Sequence, residues 1–484
     1  MPMDFRELPD LASERAGGTV LFASDDYFAE KENLIRPSRA IWKEHEYTDR
    51  GKWMDGWESR RKRTAGHDFA IIRLGAPTIV RGVVVDTSFF RGNFPESCSI
   101  DGAVMPANAP ADDLLVAEWT EVLKRSPLNG DSENLFTTAS PFAFTHIRLN
   151  IFPDGGVARF RVHGDVVPDW SRAGGLATEV DLAALENGGA VESCSDQFFG
   201  PKHNLIMPGR ALNMSDGWET RRRRGPGHDW VIVNLTAEGI IRRIEIDTNH
   251  FKGNYPDTAS IEGSIDGRTW FEVLPRTKLQ AHTRHFFRDE LTGKGPASQI
   301  RLNVFPDGGV SRLRVWGLAT EAGRRKAVVD RVNTATHPAE LLRSCCGSTK
   351  WAEQLAAGRP FQSWDELTEK ADGIWSRLSP EDWNEAFLAH PRIGERKASS
   401  KWSADEQAGT NSASEETMNR LARANREYEE KFGLIYLVCA TGRSADEMLA
   451  NLETRMNNSR ETELRVAAEE QRKITRLRLE KLVL

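Results

Sequence analysis

The chain has 484 residues, 39% hydrophobic and 28% charged, a composition that fits a soluble globular protein of about three domains at roughly 100–200 residues each. Its 65 Lys and Arg against 71 Asp and Glu give a formal net charge of −6, which argues against nucleic-acid binding, where a basic excess is usual. No apolar run of roughly 18 residues occurs, so no membrane-spanning helix is expected, and Met1 to Gly18 lacks the basic start and apolar stretch of a signal peptide. The five cysteines, Cys98, Cys194, Cys345, Cys346 and Cys439, are odd in number and show no CxxC spacing. Reduced thiols and a cytoplasmic location are therefore expected.

An internal repeat organises the first two thirds. Asp55-Gly56-Trp57-Glu58 recurs 161 residues on as Asp216-Gly217-Trp218-Glu219. The same offset carries Arg60-Arg61-Lys62-Arg63 onto Arg221-Arg222-Arg223-Arg224, Gly66-His67-Asp68 onto Gly227-His228-Asp229, and Gly92-Asn93-Phe94-Pro95 onto Gly253-Asn254-Tyr255-Pro256. Further on, with a shifted register, Arg148-Leu149-Asn150-Ile151-Phe152-Pro153-Asp154-Gly155-Gly156 matches Arg301-Leu302-Asn303-Val304-Phe305-Pro306-Asp307-Gly308-Gly309. Two long copies are too few for a solenoid and read as a duplicated domain. Each copy is a series of short β-rich runs punctuated by Gly, Pro and Asn, the pattern of a sandwich or jelly roll.

Three elements of each repeat carry possible chemistry. His67-Asp68 and His228-Asp229 each follow an arginine cluster and a glycine. They read either as acid/base or metal groups beside arginines that grip a carboxylate, or as solvated hairpins in which Asp makes a turn. Asp154 and Asp307 sit in Pro-Asp-Gly-Gly turns, where glycine would also let a ligand approach the backbone. The basic runs resemble a localisation signal on paper, but their repetition in an acidic protein favours anion binding.

Taken together, these duplicated motifs resemble allantoicase over about residues 15–320. The resemblance implies two tandem jelly-roll, galactose-binding-like sandwiches and hydrolysis of allantoate to ureidoglycolate and urea. Losing urea requires an activated water and a proton for the leaving nitrogen. His67, Asp68, His228 and Asp229 are the candidates for that work. Arg60, Arg61, Arg221 and Arg222 are the carboxylate anchors, with Asp154 and Asp307 as further substrate contacts. The copies diverge at Phe89 against His250, so one repeat is expected to catalyse while the other completes a pocket or interface. A divalent metal is possible here, and its involvement is open at this point.

From about residue 335 the periodicity turns helical. Ser363-x-x-Glu366 and Ser444-x-x-Glu447 read as capping boxes, and Ser379-Pro380-Glu381-Asp382 as a helix start. Met418, Leu421, Asn425, Tyr428 and Phe432 stripe another helix, and a long final helix starts near Arg460. The charged segment Glu321 to Asp330 reads as a linker. His390 follows Trp383, Ala386 and Phe387 at helical spacing and ends that helix, with Pro391 after it. A lone histidine there is usually a core or cap residue. Its position at a helix C-terminus favours charging while its apolar neighbours oppose it, which would leave its pKa near the working pH. Arg478 stands at the margin of an apolar stripe and wants an anionic partner.

His390-Pro391-Arg392-Ile393-Gly394, Ser403-x-x-Glu406-Gln407, the run from Phe432 to Ala440, and Ile474 to Leu479 are similar to 2-oxo-4-hydroxy-4-carboxy-5-ureidoimidazoline decarboxylase. That resemblance implies His390 as acid/base assisted by Glu406. It implies a substrate site lined by Pro391, Ser403, Asp405, Gln407, Tyr436, Leu437, Val438, Cys439 and Ala440, Arg478 for the substrate's charge, and no cofactor. The expected organisation is two all-β repeats over residues 1–170 and 171–325, then an all-α bundle over 326–484. The expected partners are small ureides and further copies of the chain in a homo-oligomer, with neither nucleic acid nor membrane. A rival reading makes the β repeats a ligand- or carbohydrate-binding module on a decarboxylase.

Overall fold

The structure is a computed structural model that describes residues 4–170, 175–390, 415–440 and 443–484. The chain forms two compact units, Met1–Arg324 and Arg325–Leu484.

The first unit holds two β-sandwich-like repeats of the same design. In the first, a 19-residue strand, Asp68–Asp86, serves both halves of the sandwich. Its beginning pairs with Thr19–Ala23 on one side and Ala143–Phe152 on the other; Ser97–Ala103 and Thr120–Pro127 extend that sheet. After a register break between Arg73 and Thr78, its second half pairs with Arg159–Val166 and Glu133–Thr137. In the second repeat Asp229–Asp247 takes the same place, flanked by Ala190–Cys194, Ala297–Phe305, Arg284–Phe287 and Arg312–Ala319. Strand alternation decides which residues face the core. Ile147, Leu149 and Ile151 are fully buried with Ala70, Ile72 and Ile100. The intervening Arg148, Asn150 and Phe152 project from the other face.

Much of the repeated sequence holds these sandwiches together. Arg159 and Asp55 form a buried ion pair at 2.8 Å, repeated by Arg312 and Asp216 at 3.1 Å. Removing one partner of such a pair strands a buried charge and costs about 3–5 kcal/mol. Trp57 and Trp218 are fully buried, and each indole N–H donates to a backbone carbonyl, of Asp25 and Asp196 respectively, at 2.8 Å. The Asp-Gly-Trp-Glu motif is thus largely architectural.

The second unit is helical: Pro338–Cys346, Thr349–Ala357, Trp364–Trp375, Pro380–Leu388, Glu415–Phe432, Ala445–Arg455 and Arg460–Glu480. Complete capping boxes stand at Ser379/Asp382 and Ser444/Glu447. At Ser363 only half of the expected box forms. The hydroxyl accepts from Glu366 N–H, but the Glu366 carboxylate turns to the Gln362 N–H at 2.7 Å. The segment read as a charged linker is instead the helix Glu321–Thr334. Ala327, Val328, Val329 and Val332 are buried on it, an apolar face that the surrounding charges masked.

Candidate active sites

In both β repeats the His-Asp pair parts company. Asp68 opens its strand, is 1% exposed, and accepts from Lys62 Nζ at 2.7 Å and Ser24 Oγ at 2.8 Å. Asp229 is held the same way by Arg223 and by Ser195 Oγ. Neighbours on a strand face opposite sides, so His67 and His228 join a different cluster on the outer face of the sheet. The turn aspartates also have local work: Asp154 accepts the Lys62 backbone N–H and Asp307 that of Arg223, both at 2.7 Å.

The histidine cluster is built from neighbouring strands. Asn303 Nδ2 donates to the Glu262 carboxylate at 2.9 Å, which leaves its Oδ1 to face His228 Nε2 at 3.2 Å. An amide oxygen only accepts, so Nε2 carries the imidazole proton and Nδ1 keeps the basic lone pair. Arg301 pairs with Glu262 at 2.7 Å and lies over Trp270; the Arg276 guanidinium lies 3.9 Å from the Phe305 ring centre. Arg276 donates through Nε to Thr258 Oγ1, and among the described residues no carboxylate meets its guanidinium. A pocket of about 420 Å³ is lined by His228, Trp230, Ser260, Glu262, Glu272, Arg301, Asn303 and Phe305, among others.

The arginines picked out by sequence lie elsewhere. Arg60 pairs with Asp25 at 2.6 Å and Arg221 with Asp196 at 3.7 Å, each exposed and each over an aromatic ring, Tyr27 or Phe198. Arg61 and Arg222 are exposed. The arginines beside the histidines are Arg148 and Arg301, within the quoted Arg-Leu-Asn-x-Phe motif, together with Arg125 and Arg276, which that reading missed. Among the described residues no group of three or more His, Cys, Asp and Glu side chains is arranged to hold a metal ion.

In the helical unit, His390 lies just past Pro380–Leu388, its N–H bonded to the Phe387 carbonyl at 3.0 Å. Arg478, on the last helix, brings Nη2 to 3.3 Å from His390 Nδ1. Burial, then the adjacent guanidinium, pull the His390 pKa down to about 3, against an opposing contribution from the Gln471 side chain. The imidazole is therefore neutral at physiological pH, not poised near it as its sequence position suggested. The helix-terminus effect yields to burial first and to the adjacent cation second. Tyr436, Leu437, Val438 and Ala440 are buried; Arg455 donates to the Leu437 carbonyl at 2.7 Å and Cys439 N–H to Glu470 at 2.7 Å. Tyr436 spends its hydroxyl on Met448 O and Asn451. The last helix thus holds both His390, through Arg478, and this run, through Glu470. Pro391, Ser403, Asp405, Glu406 and Gln407 lie outside the described residues.

These arrangements define a two-part enzyme for small polar substrates: twin sandwiches with an arginine, histidine and carboxylate pocket, and a helical domain with a half-buried neutral histidine beside a cation. Residues 9–167 and 180–320 match the family model described as allantoicase repeat, and residues 333–480 that of OHCU decarboxylase. A probable allantoicase of Photobacterium profundum is 48% identical over 330 residues, covering 66% of this chain and 99% of that protein. One from a strain of Pseudomonas fluorescens is 50% identical over 324 residues, 65% of this chain and 97% of that protein. The crystal structure of allantoicase from Saccharomyces cerevisiae, 36% identical, covers 64% of this chain and 93% of its own with a TM-score of 0.56. The chain belongs to the allantoicase family and carries an OHCU decarboxylase domain in its C-terminal third.

Proposed function

We propose that the protein is a bifunctional enzyme of ureide breakdown. Its first unit hydrolyses allantoate to ureidoglycolate and urea. Its second decarboxylates 2-oxo-4-hydroxy-4-carboxy-5-ureidoimidazoline to (S)-allantoin. The observation that carries the first assignment to a site is the pocket at His228, lined also by Arg301 and by a carboxylate-bound amide, with Arg276 stacked on Phe305 of its wall.

In this reading Arg276 takes the allantoate carboxylate, while Asn303 and the Glu262–Arg301 pair orient the ureido groups, which offer both N–H and C=O. His228 Nδ1 takes a proton from water as the new C–O bond forms at the central carbon. The imidazolium returns that proton to the ureido nitrogen as the C–N bond breaks. Asn303 keeps the tautomer throughout, and the sum is one water consumed and one urea released.

In the helical domain Arg478 would hold the substrate carboxylate. The substrate's own imine accepts the electron pair as carbon dioxide leaves, so no cofactor is required. His390, neutral at the outset, places the proton on one face of the product. Glu406 is the expected assistant. We place the enzyme in the cytoplasm on its five free cysteines; among the described residues no helix is long and apolar enough to cross a membrane.

The test is direct. The full chain is supplied with allantoate and, separately, with freshly generated ureidoimidazoline; urea is assayed in the first and chiral allantoin in the second. A chain that gives neither product overturns the assignment, and a chain that gives one loses the other half of it.

A further inference from the structure

We propose that each β repeat carries a complete allantoate site, so that one chain turns over this substrate at two separate and equivalent centres. The inference rests on the His228 pocket being the allantoate site, and it departs from the expectation that one repeat catalyses while the other assists.

The argument is the agreement of contacts between the repeats. His67 Nε2 meets Asn150 Oδ1 at 3.3 Å, as His228 meets Asn303 at 3.2 Å. Asn150 Nδ2 donates to Asp101 at 2.8 Å, as Asn303 does to Glu262 at 2.9 Å. Arg148 pairs with Asp101 at 2.8 Å, as Arg301 pairs with Glu262 at 2.7 Å. Each histidine ring lies 4.5 Å from a phenylalanine ring, Phe152 or Phe305. Arg125 lies 4.2 Å over Phe152, as Arg276 lies 3.9 Å over Phe305. Both guanidinium groups are anchored by Nε to a hydroxyl, Ser97 at 2.8 Å and Thr258 at 2.7 Å. The ladders bring these residues together in one register: Ser99 faces Asn150 and Asp101 faces Arg148, as Ser260 faces Asn303 and Glu262 faces Arg301.

Preservation of the fold alone does not require this. The apolar core needs the inward-facing residues of these strands, whereas these side chains stand on the opposite face, where Asn150, Asn303 and Ser97 are buried and the arginines and histidines are not. Each set is drawn entirely from its own repeat, so neither site borrows a residue from the other. The differences are conservative in kind: Asp101 against Glu262, one methylene apart, Ser97 against Thr258, and Phe69 against Trp230.

The experiment uses the full chain carrying His67→Gln, His228→Gln, or both. Glutamine keeps a polar side chain opposite Asn150 or Asn303 but cannot shuttle the proton, and thermal melts confirm that each variant is folded. Each single variant is expected to keep roughly half the wild-type kcat with similar KM, and the double variant to fall by about 10²–10⁴-fold. Full activity in His67→Gln with loss in His228→Gln overturns the two-site proposal and leaves the His228 site standing, and the reverse overturns both in favour of a single site at His67. Loss in both singles overturns it in favour of one composite site. A double variant with the wild-type rate shows that the underlying site assignment is itself wrong. If a glutamine variant does not fold, Arg125→Gln and Arg276→Gln give the same comparison at the substrate carboxylate.

Discussion

Arg478 Nη2 lies 3.3 Å from His390 Nδ1, and a guanidinium only donates, so Nδ1 is the accepting nitrogen and Nε2 carries the proton. The decarboxylase domain thus presents a neutral histidine of fixed tautomer, kept uncharged first by its burial and then by Arg478, the proposed anchor for the substrate carboxylate. Substrate binding at Arg478 would neutralise that cation and let His390 bind a proton more readily when one must be delivered.

His390→Gln is expected to lower decarboxylation by about 10²–10⁴-fold while urea release from allantoate stays at the wild-type rate. Arg478→Met should raise KM and shift the acid limb of kcat/KM to higher pH, because it removes the second-largest cause of the depressed His390 pKa. Profiles of kcat/KM against pH for both proteins check this. An acid limb that does not move would remove Arg478 as the controlling charge.

The two depressed histidines also set a direction for stability. His390 falls from 6.5 to about 3, and His203, half-buried with its Nε2 on the Glu7 carbonyl, falls from 6.5 to about 4. Below 6.5 the unfolded chain takes up protons that the folded chain refuses. Their contribution is therefore complete above about 6.5 and declines as the pH drops, down to about 3 for His390 and about 4 for His203. Each group accounts for at most about 1.4 kcal/mol per pH unit. Denaturant unfolding at pH 5 and pH 7.5 should show a smaller pH effect in the His203→Gln and His390→Gln variants than in the wild type. An unchanged pH effect in both would count against the burial of neutral imidazoles.

The duplicated architecture was open to reading from repeats and periodicity, because strand alternation and turn residues are local signals. The site was only partly so. Arg148, Asn150 and Phe152 alternate along one strand, and that spacing places them on one face together. Their partners Asp101 and Arg125 come from strands 20–50 residues earlier in sequence, and no local pattern links them. The His-Asp dipeptide misled because adjacency in sequence is opposition on a strand. The arginine runs looked chemical because they repeat, yet repetition also preserves structural residues such as the buried pair Asp55–Arg159.

Arginine substitutions separate the two readings of the carboxylate anchor. Arg221 is exposed and its partner Asp196 is 3.7 Å away, so Arg221→Ala is expected to change allantoate kcat/KM by less than about twofold, in keeping with the small worth of surface pairs. Arg276→Ala combined with Arg125→Ala should raise KM by about 10-fold or more, since charge-assisted bonds to a carboxylate contribute roughly 1.5–3 kcal/mol. A large loss from Arg221→Ala with little from the pair would restore the basic run as the anchor.

A fragment ending at Arg324 is expected to fold and release urea at the rate of the full chain. The reason lies in how the end of the second repeat is secured. Thr320 N–H donates to the Glu238 carbonyl at 2.9 Å, and its hydroxyl donates to the Glu238 carboxylate at 2.6 Å. That hydroxyl in turn accepts from Gly323 N–H at 3.0 Å, and Arg324 donates to the Ala319 carbonyl at 2.8 Å. Residues 320–324 therefore close the second repeat, although they also begin the helix Glu321–Thr334. A cut at 324 keeps these bonds, and a cut at 318 deletes all of them along with Ala319, which pairs with Gly239. The longer fragment should show one cooperative melt close to that of the β unit in the intact protein, and the shorter one a melt lowered by several degrees, at about 1 kcal/mol for each hydrogen bond lost. Equal melts for the two fragments would show that this segment adds nothing to the second repeat, and an inactive but folded longer fragment would place part of the allantoate chemistry beyond residue 324.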